Sequence, residues 1–247
     1  MAATPALTWD VSLSRRLRHG DREFQLDVTC RSHAQRLVLF GPSGAGKSQT
    51  LKMITGLERP DSGHVRLRGE TLFENTSKPR VDLTPQARRL AYVFQDYALF
   101  PHLTVEQNVA FALAPGMRNP SARVIAHAEV ARWLTAFDLD GVRRLYPEQI
   151  SGGQRQRTAL ARALVVQPRA LLLDEPFAAL DRTLRQRLRG ELLALQRELA
   201  LPMLLITHDE DDVKALGEEV VELRDGRVAA HRRVPAPPPA VTSPSRC

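Results

Sequence analysis

The chain is 247 residues long, 43% hydrophobic and 26% charged, which fits a globular domain with a sizeable core and excludes a disordered or fibrous polymer. No run approaches the roughly 18 apolar residues needed to span a bilayer, and Met1-Ala2-Ala3-Thr4-Pro5 lacks the basic-then-apolar order of a targeting segment. The cysteines, Cys30 and Cys247, form no disulfide framework or metal spacing, and the net charge of +7 comes from scattered arginines without a base-reading element, so a cytoplasmic location without a nucleic-acid partner is expected.

Short apolar or alternating runs predict strands at Leu7 to Leu13, Phe24 to Val28 and Arg36 to Phe40. The last runs directly into Gly41-Pro42-Ser43-Gly44-Ala45-Gly46-Lys47-Ser48. Leu51, Ile54 and Leu57 then recur at helical spacing, and Gly56 with Pro60 closes that helix. Alternation around Val65, Leu67 and Leu72 predicts antiparallel strands between Gly63 and Phe73, followed by a polar loop from Glu74 to Arg80. From about Pro101 to Gln149 the reading is mainly helical, with Val130, Trp133, Leu134 and Phe137 forming one apolar face.

A helix is predicted after Ser151, a buried strand at Ala170 to Asp174, a helix from Arg182 to Leu199, and a strand at Met203 to Thr207. Asp225-Gly226 between two apolar runs reads as a hairpin turn. Strands alternating with helices imply a largely parallel sheet. The fold class is α/β, with an antiparallel β subdomain and an inserted helical subdomain at about residues 100–165. Residues 1–230 form one domain, and the proline-rich run 231–247 is expected to be a disordered tail.

A glycine loop between a buried strand and a helix lets backbone N–H groups converge on a phosphate, with the helix dipole favouring negative charge. Glycines 41, 44 and 46 stand where a side chain would block that approach, and Lys47 reaches the β- and γ-phosphates while Ser48 can ligate magnesium. The segment Gly41 to Gln49 is the expected nucleotide cradle. Leu171-Leu172-Leu173 ends in two carboxylates at the edge of a parallel sheet: Asp174 to hold magnesium, Glu175 to polarise the attacking water. Ser151-Gly152-Gly153-Gln154 opens a helix with a serine N-cap and two glycines that leave the amides open to an anion. Two phosphate-contacting loops in one chain point to a site completed across a dimer.

With Gln95 in Phe94-Gln95-Asp96 and His208 after the last strand, these motifs make the stretch from about Leu7 to Ala230 resemble the ATP-binding subunit of an ABC transporter, a P-loop NTPase. The resemblance implies ATP and Mg2+ as cofactors. It implies that Gln95 touches the metal and the attacking water, that Ser151, Gly152 and Gly153 with Gln154 engage nucleotide held by the opposite subunit, that Asp181 bridges the two sites, and that His208 contacts the γ-phosphate. It further implies a homodimer docked through Asp96 to Val105 on two transmembrane permease subunits at the cytoplasmic face of the inner membrane, fed by a periplasmic solute-binding protein. Ile150 stands where the family usually has leucine, and the aromatic that usually stacks on adenine has no clear counterpart in Arg16-Leu17-Arg18-His19-Gly20, leaving His19 or an arginine.

Leu83-Thr84-Pro85, Arg88-Arg89, Tyr92 to Asp96 and Leu99-Phe100-Pro101-His102 are similar to the ATPases of molybdate importers, and sulfate, iron and polyamine importers share part of the pattern. The expected function is ATP hydrolysis driving import of molybdate or a related oxyanion, with an iron, sulfate or polyamine importer as the alternative. The molybdate ATPases usually continue into a C-terminal oxyanion-binding regulatory domain, where this chain has its proline-rich run. A soluble, non-transport ABC ATPase and a metabolite kinase are further classes; the first usually needs two cassettes or a coiled-coil insertion, and the second has no use for Ser151-Gly152-Gly153.

Overall fold

A computed structural model describes residues 7–19, 22–116, 118–178 and 180–235, without the side chains of His19 and Arg22. Two long strands, β1 (Trp9–His19) and β2 (Arg22–Ser32), pair antiparallel, and β3 (Arg36–Phe40) leads through the glycine loop into α1 (Lys47–Thr55). Then come β4 (Ser62–Leu67), β5 (Glu70–Glu74), β6 (Val81–Asp82), α2 (Pro85–Arg88) and β7 (Leu90–Val93). Helices α3 (Val105–Phe111), α4 (Ala122–Ile125), α5 (Ala128–Ala136) and α6 (Gly152–Leu164) precede β8 (Ala170–Asp174). The chain continues through α7 (Arg182–Leu199), β9 (Met203–Thr207) and α8 (Glu210–Leu216), and β10 (Glu219–Arg224) and β11 (Arg227–Arg233) make the hairpin.

The eleven strands among the described residues join one sheet in the order β6-β5-β4-β1-β2-β11-β10-β3-β9-β8-β7. Strands β10, β3, β9, β8 and β7 run parallel, while β1, β2, β4, β5 and β6 pair antiparallel. Side chains alternate across the parallel part. Val38, Leu171, Leu173, Leu205 and Val220 face a core built with Val109, Leu134, Leu160, Leu192 and Leu216 of the helices. Leu37, Leu39, Leu172, Leu204, Ile206 and Val221 face the other, shared with Leu51 and Ile54 of α1 and with the antiparallel strands. The stripe Val130, Trp133, Leu134 and Phe137 is buried in the first core.

β2 is longer at both ends than the expected Phe24 to Val28, and two further boundaries differ from expectation. β1 runs on to His19 through a polar stretch without apolar periodicity, because each of its residues has a cross-strand partner on β2, Arg15 with Leu26 and Leu17 with Phe24 among them. β11 extends to Arg233, so residues 231–233 are strand and not tail; His231 meets Glu219 at 2.9 Å across the hairpin. Residues 236–247, the greater part of the expected disordered tail, lie outside the described residues. Among the described residues no helix is long and apolar enough to cross a membrane.

Candidate functional site

The site lies at the C-terminal ends of β3, β8 and β9, adjacent strands whose buried apolar runs deliver polar residues to one sheet edge. From β3 the chain turns at Gly41, where φ is 153° and a Cβ would stand 2.3 Å from the Leu223 carbonyl of β10. Only glycine fits there. The loop closes on itself by the Ala45 N–H donating to the Pro42 carbonyl at 3.3 Å, and α1 begins at Lys47. Pro42, Ser43 and Gly44 are exposed, whereas Lys47 is buried.

The Lys47 ammonium donates to the carbonyls of Gly41 and Pro42 at 2.9 Å each and lies 3.8 Å from Glu175 Oε1. Burial pulls its pKa below the usual lysine value, opposed by the carboxylates of Glu175 and Asp174. Ser48 Oγ donates to Asp174 Oδ1 at 3.0 Å, and the Tyr92 hydroxyl, from β7, donates to Asp174 Oδ2 at 2.7 Å. Burial, and next the neighbouring Asp174, raise the Tyr92 pKa well above its usual value, so the phenol is a permanent donor. Glu175 has φ of 45°, a left-handed conformation unusual for a residue with a side chain, and its amide donates to the Ile206 carbonyl at 3.1 Å. His208 Nδ1 lies 3.2 Å from Glu175 Oε2.

Behind His208 stands a network of charges. The Thr207 hydroxyl donates to Asp212 at 2.6 Å and accepts from the Asp209 amide at 3.0 Å. Arg189 of α7 donates to Asp212 at 2.5 Å and to Asp209 at 3.2 Å. Burial raises the Asp212 pKa against the hydrogen bonds from Thr207 and Arg189. Arg185 joins Asp209, at 2.6 Å, to the Leu180 carbonyl, at 3.3 Å, and so ties the segment carrying His208 to the turn carrying Asp181. Asp181 caps α7, accepting from the amides of Thr183 and Leu184 at 3.0 Å each.

Lys47, Ser48, Asp174, Glu175 and His208 thus converge. Gln95 is exposed in the loop after β7 and makes no hydrogen bond among the described residues. Ser151 caps α6, exchanging bonds with Gln154 at 3.3 and 2.9 Å, and Gly152 and Gly153 form the first turn; this group is hydrogen-bonded to itself and not to the Lys47 loop. Gln49 turns away from the cradle: with its amide nitrogen assigned to the near side, it donates to Glu58 at 2.9 and 3.1 Å. Of the stretch considered for adenine, the His19 side chain and all of Gly20 lie outside the described residues. An aromatic ring does border the loop, that of Phe24 on β2, whose edge is 3.4 Å from the place of a Cβ on Gly46. Sequence reasoning passed over Phe24 because it lies one strand beyond the stretch compared, and Tyr92 because nothing in its spacing ties it to Asp174.

Ser48 Oγ and the Asp174 carboxylate are hard oxygen donors held together beside an ammonium, and they suit Mg2+, which takes few protein ligands and completes its shell with phosphate and water. The same edge offers a cation and loop amides to a polyphosphate, and a carboxylate and an imidazole to an attacking water.

Residues 25–178 match the family model for ABC transporters. The chain is 43% identical over 210 residues to the sulfate/thiosulfate import ATP-binding protein of Synechocystis, covering 85% of this chain and 56% of that protein. It is 41% identical over 203 residues to the spermidine/putrescine import ATP-binding protein of Nitratidesulfovibrio vulgaris, covering 82% and 52%. The chain therefore spans little more than half the length of these curated relatives. A dimeric ATP-binding cassette solved in a post-hydrolysis state with ADP and phosphate superposes with a TM-score of 0.75 at 25% identity, covering 92% of this chain and 99% of that one.

Proposed function

The chain belongs to the ABC transporter family, and from that premise we propose that it is the ATP-hydrolysing subunit of an importer, working as a homodimer. The carrying observation is the convergence of Lys47, Ser48, Asp174, Glu175 and His208 at one sheet edge, with Ser48 3.0 Å from Asp174, His208 3.2 Å from Glu175 and Lys47 3.8 Å from Glu175. The loop from Gly41 to Ser48 cradles the phosphates of ATP. Lys47 exchanges its two carbonyl partners for phosphate oxygens, an exchange of neutral acceptors for charged ones. Ser48 and Asp174 hold Mg2+, with Gln95 as a third contact; bound there, the cation neutralises charge on the β- and γ-phosphates. Glu175 orients the attacking water, and His208, held against Glu175, donates to the γ-phosphate.

The second anion-binding element, Ser151 to Gln154, has its cap Ser151 exposed, Gly152 and Gln154 half-buried and Gly153 buried, and is satisfied within its own turn. It serves the nucleotide on the opposite protomer, with Asp181 joining the two sites. The likeness to dimeric cassettes supports this arrangement. Phe24 offers the base an apolar surface beside the loop. The partners of the dimer are two transmembrane permease subunits at the cytoplasmic face of the inner membrane, with a periplasmic binding protein delivering solute.

For the solute, the relatives favour sulfate or thiosulfate, an alternative in the sequence reading, over molybdate, its first expectation. Molybdate remains the second reading because of the segments Leu83-Thr84-Pro85 and Leu99-Phe100-Pro101-His102. Glu175→Gln is expected to abolish hydrolysis and accumulate a nucleotide-bound dimer in size-exclusion chromatography; an unchanged rate would remove Glu175 from its role. With the membrane subunits co-expressed in vesicles, sulfate or thiosulfate is expected to stimulate ATPase activity. Stimulation by molybdate alone would restore the first expectation.

A further inference from the structure

Asp174 has both carboxylate oxygens occupied by hydroxyl donors, Ser48 on Oδ1 at 3.0 Å and Tyr92 on Oδ2 at 2.7 Å. The two donors differ in what they can do. Ser48 opens α1 beside Lys47 and is itself a candidate cation ligand. Tyr92 comes from the far side, on β7, which pairs in parallel with β8 so that Tyr92 stands opposite Leu172, two residues before Asp174. Its ring packs on the second core and meets Phe94 edge-on at 4.4 Å between centroids. The hydroxyl is therefore fixed by a sheet register and by packing, and it reaches the carboxylate without bringing a charge that would compete with a cation.

A carboxylate on a single-bonded Cβ–Cγ axis rotates easily, since the terminal torsion of aspartate is broad. A strong hydrogen bond to one oxygen removes that freedom and leaves the other oxygen aimed at its partner. Groups that orient a metal ligand in this way typically contribute about 10- to 100-fold in metal affinity. We propose that Tyr92 is a positioning residue for the divalent cation: it pins Asp174 Oδ2 so that Oδ1 and the Ser48 hydroxyl stand ready as a preset pair of oxygen ligands. This rests on the reading of Ser48 and Asp174 as the cation ligands given above.

The test is a titration of the full chain with a fluorescent ATP analogue, in EDTA and then with Mg2+, on the parent and on Tyr92→Phe, which removes one hydroxyl and keeps the ring. The expected result is unchanged affinity in EDTA, and a Mg2+-dependent gain in affinity that falls by about tenfold. Phe94→Leu, which disturbs the ring contact and leaves the hydroxyl, keeps the gain. Two outcomes overturn the proposal: a full Mg2+-dependent gain in Tyr92→Phe, or an equal loss with and without Mg2+, which marks a purely structural residue. Asp174→Asn and Ser48→Ala in the same titration separate the layers. If both lose the gain while Tyr92→Phe retains it, only the role of Tyr92 is wrong; if neither loses it, the cation-ligand reading fails and the proposal falls with it.

Discussion

Arg162, in the last turn of α6, donates to the backbone carbonyl of Tyr97 at 2.7 Å, and its second terminal nitrogen donates to that of Ala98 at 2.8 Å. Both carbonyls belong to residues in left-handed conformation, with φ of 65° and 43°, an unfavourable pair of neighbours that an outside partner must hold. The guanidinium also lies over the Phe100 ring at 5.5 Å, and burial brings its pKa down to about 10 against the opposing pull of Asp96, so it is charged at neutral pH. The Tyr97 hydroxyl continues the line, donating to the Pro176 carbonyl at 3.4 Å, next to Glu175. The helix opened by Ser151 is thereby joined to the loop carrying Gln95 and to the strand end carrying Glu175.

Arg162→Ala leaves two carbonyls without their charged donor and is expected to cost about 2–3 kcal/mol. The loss should be local first. Hydrogen exchange at residues 97–100 should accelerate before the global unfolding midpoint moves, and unaltered exchange there would show that the loop holds its conformation unaided.

Asp212 is buried and receives both Arg189 and the Thr207 hydroxyl. Asp212→Ala leaves the buried Arg189 guanidinium with Asp209 alone, at 3.2 Å, and should cost about 3 kcal/mol. Thr207→Val deletes one neutral hydroxyl, the donor to Asp212 and the acceptor from the Asp209 amide, and should cost about 1–2 kcal/mol. Urea denaturation of the two variants checks the order; equal losses would mean that Asp209 alone satisfies Arg189.

Glu74 accepts the Thr76 hydroxyl at 2.7 Å and the amides of Thr76 and Ser77 at 2.9 and 3.1 Å. The Thr76 hydroxyl bond is the main cause of a pKa lowered from 4.5 to about 2; burial opposes it and the amides add to it. The unfolded chain thus binds the proton more readily than the folded one. The stabilisation is complete above about pH 4.5 and is lost as pH falls towards 2. Glu74→Gln should lower stability by about 1–3 kcal/mol at pH 7 and by less than half as much at pH 3. A difference that is constant from pH 7 to 3 in urea melts would contradict this.

Gly41→Ala drives a methyl into the Leu223 carbonyl, 2.3 Å from the Cβ position, whereas Gly44, with φ of 81°, has nothing within 4 Å. Gly44→Ala should cost only the left-handed strain of about 1–2 kcal/mol. The Gly41 variant should cost visibly more, because β3 and β10 must part. Thermal melting of both variants in one buffer decides the matter, and equal shifts would mean that the sheet yields at no cost.

The central strands and the phosphate helix were legible because their signals are local: the apolar run 37–40 leads into a glycine loop, and residues 170–173 and 203–206 are uninterrupted apolar runs that a sheet buries on both faces. β7 escaped notice because four residues, Leu90–Val93, carry too little pattern to separate a strand from a loop. The polar end of β1 escaped because its extension depends on a partner strand, with Arg16 and Glu23 meeting at 2.8 Å, and not on its own alternation. In the site, the residues belonging to motifs could be named in advance. Tyr92, Arg162 and Arg185 could not, since their contacts join residues 82, 65 and 24 positions apart. Arg88 is the plainest case: a charge in sequence, but in the fold a buried cap donating to the carbonyls of Met53 and Ile54 at the end of α1.

The strand that launches the phosphate loop, β3, is flanked by β10 and β9, both from the last fifth of the chain. The hairpin that follows β10 reaches the loop itself, with the Gly226 amide donating to the Ala45 carbonyl at 3.3 Å. During synthesis the glycine loop leaves the ribosome early and then waits for its walls, since domains fold as units once their parts are available. A nascent chain stopped short of the hairpin carries every residue of the loop and none of its support. The proposed nucleotide cradle is therefore complete only after the hairpin has emerged, and a ribosome-stalled series lengthened across Gly226 is expected to gain ATP binding at that step.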